Sequence, residues 1–190
     1  MQAICEGCPS LVELSISLPA GTTITPKDVV SLAPLANLEV LSLDVVSQEQ
    51  ADVDLTEAFA SVAGSSSARL KRIDLHGLEF DGKPFFSSRC CSELREAAFS
   101  GMPLSEKPIV ALAENAGRSL SSVALVGESC SFAATLLERC HSIKCLELWS
   151  ATTHDLEQIG KHSRALLEDV FVSFKRSEEH TSELQSRQVI

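Results

Sequence analysis

One pattern constrains this chain more than any other: apolar-x-x-apolar-x-apolar, repeated seven times. Its copies are Leu11/Leu14/Ile16, Leu38/Leu41/Leu43, Leu70/Ile73/Leu75, Leu94/Ala97/Phe99, Leu120/Val123/Leu125, Ile143/Leu146/Leu148 and Leu167/Val170/Val172. Their first members follow one another at intervals of 27, 32, 24, 26, 23 and 24 residues. In every copy the last two apolar residues are two apart, the period of a strand with one buried face. A parallel neighbour needs a crossover of about a dozen residues or more, and each interval is long enough to supply one. A single unit cannot bury both its strand and its helix, so successive units have to stack. The expected class is therefore α/β: irregular strand–turn–helix repeats forming one parallel sheet backed by helices.

The connecting segments carry helix signals. Thr25-Pro26-Lys27-Asp28 offers a capping Thr and a Pro at the first helical position, where no hydrogen bond is lost. Val29, Val30 and Leu32 then supply an apolar face before Pro34. Leu55 to Ala63 is predicted helical and closed by Gly64, with Ser65-Ser66-Ser67 as a flexible loop after it. Ser131 is expected to cap Phe132 to Arg139, and Thr152 or Thr153 a helix carrying Leu156 and Ile159 that ends near Gly160. Asp81 to Cys90, holding Gly82 and Pro84, is the least regular segment.

Three junctions place a Cys three residues before the first apolar residue of a copy: Cys8-Pro9-Ser10-Leu11, Cys91-Ser92-Glu93-Leu94 and Cys140-His141-Ser142-Ile143. With them the repeat resembles the leucine-rich repeat, L-x-x-L-x-L-x-x-N/C-x-L. More narrowly it is similar to the cysteine-containing, ribonuclease-inhibitor-like repeats of F-box substrate adaptors. The resemblance covers residues 4–174. It implies a leucine-rich-repeat solenoid with a curved parallel sheet on its concave side and helices on its convex side. It further implies a protein-interaction scaffold, in its specific form the substrate-recognising part of a ubiquitin-ligase adaptor. A GTPase-activating repeat protein and the ectodomain of a repeat receptor are the alternatives. The chain departs from the family where an Asn or Cys should follow each strand, since Pro19, Val46, Leu78, Met102, Glu128, Ala151 and Lys175 stand there. Backbone groups or water, rather than a side-chain ladder, are then expected to satisfy the turns.

The C-terminal residues stand apart. Arg176 to Ser186 resembles a sequencing-adapter oligonucleotide translated in one frame, with Arg187 to Ile190 as read-through. Residues 1–175 are accordingly expected to form the solenoid, and 176–190 an artefactual, disordered tail. Ile4 already lies inside a repeat with no polar cap before it, so the array is expected to be a fragment truncated at both ends. Removing the tail's two Arg and three Glu takes the net charge only from −10 to −9. An acidic chain with no basic block argues against a nucleic-acid or anionic-membrane surface. No apolar run approaches the roughly 18–20 residues of a membrane span. Seven Cys are too dilute for a disulfide scaffold, and neither Asn37 nor Asn115 sits in an Asn-x-Ser/Thr sequon. A reducing compartment, cytoplasmic or nuclear, is expected.

No G-x-G-x-x-G, P-loop, G-x-S-x-G or H-E-x-x-H occurs, so neither catalysis nor a cofactor nor a metal is expected. Cys5-Glu6-Gly7-Cys8 lacks the second pair of a zinc site and the strand-then-helix context of a thioredoxin motif. Both of its cysteines, with Cys90, Cys91 and Cys130, are expected to pack as small buried residues. Asp74 and His76 share a face but have no nucleophile beside them, the pattern of a solvated pair. The outward-facing residues are the informative ones. Between the last two apolar residues run Ser15, Ser42, Asp74, Ala98, Ala124, Glu147 and Phe171; just after them run Ser17, Asp44, His76, Ser100, Val126, Trp149 and Ser173. Stacked strands about 4.8 Å apart turn each series into a row. The candidate partner-binding residues are Asp44, Asp74 and His76 at one end and Glu147, Trp149 and Phe171 at the other. An exposed Trp beside low ground at Ala98, Ser100 and Ala124 has the composition of a binding hot spot; the alternative is that Trp149 packs beneath a following repeat. The expected partner is a protein, and the oligomeric state stays open.

Overall fold

A computed structural model describes residues 1–19, 21–45, 54–65, 69–78, 80–102, 105–162 and 167–174, so most of the loop expected at Ser65-Ser66-Ser67 lies outside the described residues. Seven strands, β1 Glu13–Leu18, β2 Val40–Val45, β3 Arg72–His76, β4 Glu96–Ser100, β5 Ser122–Val126, β6 Cys145–Ala151 and β7 Asp169–Phe174, form one sheet in chain order. Every pair is parallel. The helices alternate with them: α1 Gln2–Gly7, α2 Pro26–Val30, α3 Thr56–Ser65, α4 Lys83–Phe86, α5 Glu106–Ala116, α6 Ala133–Arg139 and α7 Thr153–His162. The expected α/β class and the single parallel sheet are both present. In β2 to β6 the inward residues Leu41, Ile73, Ala97, Val123 and Leu146 are only 0–3% exposed and share one core with the helices. The alternate residues form an open face.

A backbone ladder at the strand entries holds this register. The carbonyl oxygens of Val12, Glu39, Lys71, Arg95, Ser121 and Lys144 each accept two N–H groups from the next unit, at 2.7–3.1 Å. Glu39 and Val40 donate to Val12, Lys71 and Arg72 to Glu39, and the pattern continues unbroken to Glu168 and Asp169 on Lys144. Side chains reinforce the same edge, with Lys71 on Glu39 and Lys144 on Glu168, both at 2.7 Å, and an Arg69–Glu93 pair. These pairs are exposed, so each contributes little beside the backbone bonds.

At the strand exits the chain turns through a left-handed residue at a constant position, two after the last inward apolar residue. Gly77 (φ 65°), Gly101 (φ 60°), Gly127 (φ 69°) and Ser150 (φ 65°) occupy it. Gly77 N–H donates to Ser100 O at 2.8 Å, a backbone solution of the expected kind. The fifth unit differs from expectation. A 3₁₀ turn, Gly127–Phe132, brings Cys130 Sγ to 3.4 Å from both Leu125 O and Trp149 O, so a cysteine side chain does bridge two units there. Of the other residues at the family's Asn/Cys position, Leu78, Met102 and Ala151 are buried.

Helix caps follow the sequence in part. Thr25 and Asp28 form a full capping box, with Asp28 N–H on Thr25 Oγ1 at 3.3 Å and Thr25 N–H on Asp28 Oδ2 at 3.1 Å. Thr152 and Asp155 repeat it at α7, at 3.2 and 2.7 Å. Helices α3 and α7 run to Ser65 and His162, one and two residues past Gly64 and Gly160 and close to the expected ends. Ser131 does not cap; it lies inside the 3₁₀ turn, its hydroxyl donating to Glu128 O. Helix α5, the longest among the described residues, forms without a side-chain cap, driven by buried Ile109, Leu112 and Ala116. The irregular Asp81–Cys90 segment folds into α4 and the start of a 3₁₀ turn, Arg89–Cys91. There Phe59, Phe80, Phe85, Phe86 and Phe99 make an aromatic cluster, with Phe59 stacked on Phe80 at 4.2 Å and Phe86 edge-on to Phe99 at 5.5 Å. Residues 176–190 and the turn positions Val46 and Lys175 lie outside the described residues.

Of the left-handed glycines, Gly77 and Gly127 differ in surroundings, and their variants should differ too. A Cβ on Gly127 meets nothing within 4 Å, whereas one on Gly77 overlaps the Val45 carbonyl oxygen. In urea titrations Gly127→Ala is expected to cost about 1 kcal/mol for backbone conformation alone, and Gly77→Ala more than twice that. Equal losses would contradict the close approach of β2 and the turn after β3.

Candidate functional site

The open face is a lattice set by the strand register. Ser15, Ser42, Asp74, Ala98, Ala124, Glu147 and Phe171 are successive register partners, and so are Ser17, Asp44, His76, Ser100, Val126, Trp149 and Ser173. A third row, Glu13, Val40, Arg72, Glu96, Ser122, Cys145 and Asp169, lies toward the strand entries.

The candidate residues fall into two groups separated by β4 and β5. In the first, Asp44 accepts a hydrogen bond from Ser17 Oγ at 3.1 Å and stands beside His76 in the register. Asp74 pairs with Arg72, not His76: Arg72 Nε donates to Asp74 Oδ2 at 3.0 Å, and Nη1 reaches Glu96 Oε2 at 3.6 Å. Asp74 beside it holds the Arg72 guanidinium pKa above its ordinary value. In the second group Trp149 and Phe171 are 43% and 45% exposed, with ring centroids 4.6 Å apart and planes tilted by 42°. The indole Nε1–H points at Glu147 Oε2, 3.4 Å away. Between the groups lie the small side chains of Ala98, Ser100 and Ala124, with Val126 next to Trp149 in the register.

Trp149 is therefore not covered by the core, although its strand leaves the regular pattern. Ser150 is the one non-glycine residue with positive φ among the described residues, and the β6–β7 register shifts between Trp149 and Ala151. A left-handed serine is strained by about 1–2 kcal/mol, and the strain sits directly beside the exposed indole. On β7, Val170 and Phe174 are also exposed, at 53% and 56%. Arg72 and Asp169 belong to the face but were not among the expected residues. Their signal was present, because the position before the second apolar residue of each copy obeys the same two-residue period.

The cysteines divide differently from expectation. All seven are free. Cys5, Cys90, Cys91, Cys130 and Cys140 are buried, but Cys8 is exposed, because it forms the C-cap of α1 and its side chain leaves the core. Cys90 and Cys91 form a buried thiol pair, Sγ to Sγ 3.7 Å, with Ser88 Oγ 2.8 Å from Cys90. Hydrogen bonding from Cys91 first, and from Ser88, draws the Cys90 pKa down to about 7, while Cys91 is pushed up by the same bond and by burial. Burial raises Cys140 to about 11. The side-chain amide N–H groups of Asn115 are used within the fold, donating to Phe86 O and Ser88 O at 2.8 and 2.6 Å. Among the described residues no three His, Cys, Asp or Glu side chains converge as a metal site, and no helix is long and apolar enough to cross a membrane. Neither the models of known families nor the curated proteins compared with this chain match it.

The thiol pair has a pH signature. Cys90 has its pKa lowered in the fold from 9.0 to about 7, so its contribution to stability is lost as pH falls through 7 and fully present above 9. Cys91 acts in the opposite sense above its ordinary value. Unfolding free energy is expected to rise between pH 7 and 9, and Cys90→Ala to remove that rise. An unchanged slope in the variant would assign Cys90 an ordinary pKa.

Proposed function

We propose that this chain is part of a leucine-rich-repeat solenoid of the cysteine-containing, ribonuclease-inhibitor-like type. Its work is to hold a protein partner against the open, concave sheet face, with no catalysis of its own. Substrate recognition within a ubiquitin-ligase adaptor is the specific role, by analogy with F-box proteins, in a cytoplasmic or nuclear setting that suits seven unpaired thiols. Fold alone does not assign a function, so the proposal rests on the site.

The observation that carries it is the Trp149–Phe171 pair, two tilted rings in contact, half exposed beside the small side chains of Ala98, Ser100 and Ala124. Large rigid aromatics next to a shallow recess supply most of the binding energy in protein interfaces. The GTPase-activating alternative has less support, because Asn115 spends its side chain on two backbone carbonyls.

The test is a complex of the purified protein with its partner, mapped by hydrogen exchange and by mutation. Protection is expected on β2 to β7 and not on α3 to α7. Trp149→Ala is expected to weaken the complex by about 30-fold or more while the melting temperature stays within a few degrees. A stability loss of about 3–5 kcal/mol in that variant would instead mark Trp149 as a packing residue. A footprint confined to the helices would overturn the assignment of the face.

A further inference from the structure

Resting on that docking role, we infer that the partner presents a basic segment, one Arg or Lys of which stacks on the Trp149–Phe171 pair with Glu147 and Asp169 beside it. The aromatic pair alone would accept any flat or apolar group. Its surroundings narrow the choice. Glu147 is the register partner of Phe171 and touches the indole, while Asp169 lies two residues along β7 on the same face. Any occupant large enough to cover the two rings also removes water from these carboxylates. Within the chain Glu147 has only the long indole contact and Asp169 only the Cys145 thiol at 3.9 Å, so an apolar or anionic side chain would leave both charges dehydrated and unneutralised, at a cost that offsets the gain from the rings. A guanidinium or ammonium group meets both demands, because the ring faces are themselves electronegative. Arg fits better than Lys, since its plane stacks on a ring while its edge donates in a fork to a carboxylate.

The rest of the face favours the same partner. It carries Glu13, Asp44, Asp74, Glu96, Glu147 and Asp169 against a single Arg72, and that Arg is already paired with Asp74 and Glu96. Clustered charge of one sign attracts its opposite and steers encounter. The low floor at Ala98, Ser100 and Ala124 lets an extended backbone cross between the two groups. From the aromatic pair to Asp44 is about four strand spacings of 4.8 Å, which an extended chain covers in roughly five or six residues. The segment therefore carries two basic residues at about that separation.

Trp149 is the only Trp and the chain has no Tyr, so intrinsic fluorescence reports this site alone. The probes are synthetic peptides of about twelve residues in a Ser/Ala background, with two Arg five positions apart, and the same peptides with citrulline or Glu at both places. The Arg peptide is expected to change Trp149 emission saturably and to bind more weakly as salt rises. The citrulline peptide is expected to bind at least about tenfold more weakly, and Glu147→Gln or Asp169→Asn to weaken the Arg peptide by about tenfold without shifting the melting temperature. Equal or tighter binding of the citrulline or Glu peptide, indifference to both substitutions, or no binding by any peptide would each overturn the inference. The docking role itself falls separately, only if the partner's hydrogen-exchange footprint lies on the helices.

Discussion

The backbone ladder at the strand entries is the constraint on which the rest of the molecule depends. Each carbonyl from Val12 to Lys144 takes two N–H groups from the unit that follows, so no unit can shift by one residue without losing both bonds. Such a slip would turn Leu, Ile and Val outward and carry Asp74, Glu147 and Trp149 into the core. The inward register makes the same demand through burial, with Ile73, Leu75, Phe99, Val123, Leu125 and Leu148 all fully buried. Hydrogen bonding and the hydrophobic effect thus specify one register twice, and the open face inherits its order from them.

The strand exits are less uniform, and their variation coincides with the candidate site. Three successive units use glycine for the left-handed step, which costs nothing there. The fourth uses Ser150, with a register shift beside it and a Cys130 thiol reaching the Trp149 carbonyl. Local rules are most often broken where function requires it, and the exposed indole lies next to this break. The Arg72 group is a different case: one guanidinium is shared between Asp74 and Glu96, so the triad is partly neutralised within the chain and still adds to the acidic charge of the face.

Most of the sheet was legible in the sequence. The two-residue period marked the strands, the 23–32-residue intervals marked the crossovers, and the rows across the face followed from stacking the copies. The Thr-x-x-Asp caps of α2 and α7 were equally local signals. The ends of α3 and α7 fall within one and two residues of Gly64 and Gly160, so these too were local signals. Cys8 differs from the other junction cysteines because the spacing of such a residue does not say which way a capping side chain turns.

By itself the sequence determined the α/β class, the parallel order and which residues share each row, because all three follow from periodicity along one chain. Only the tertiary structure decided which neighbours a side chain engages. It paired Asp74 with Arg72 instead of His76, tied Asn115 into the backbone, set Cys90 against Cys91, and left Trp149 against Phe171 yet open to solvent. The reason is distance in three dimensions: contacts across strands depend on tilt, rotamer and the height of adjoining residues, which no spacing along the chain records.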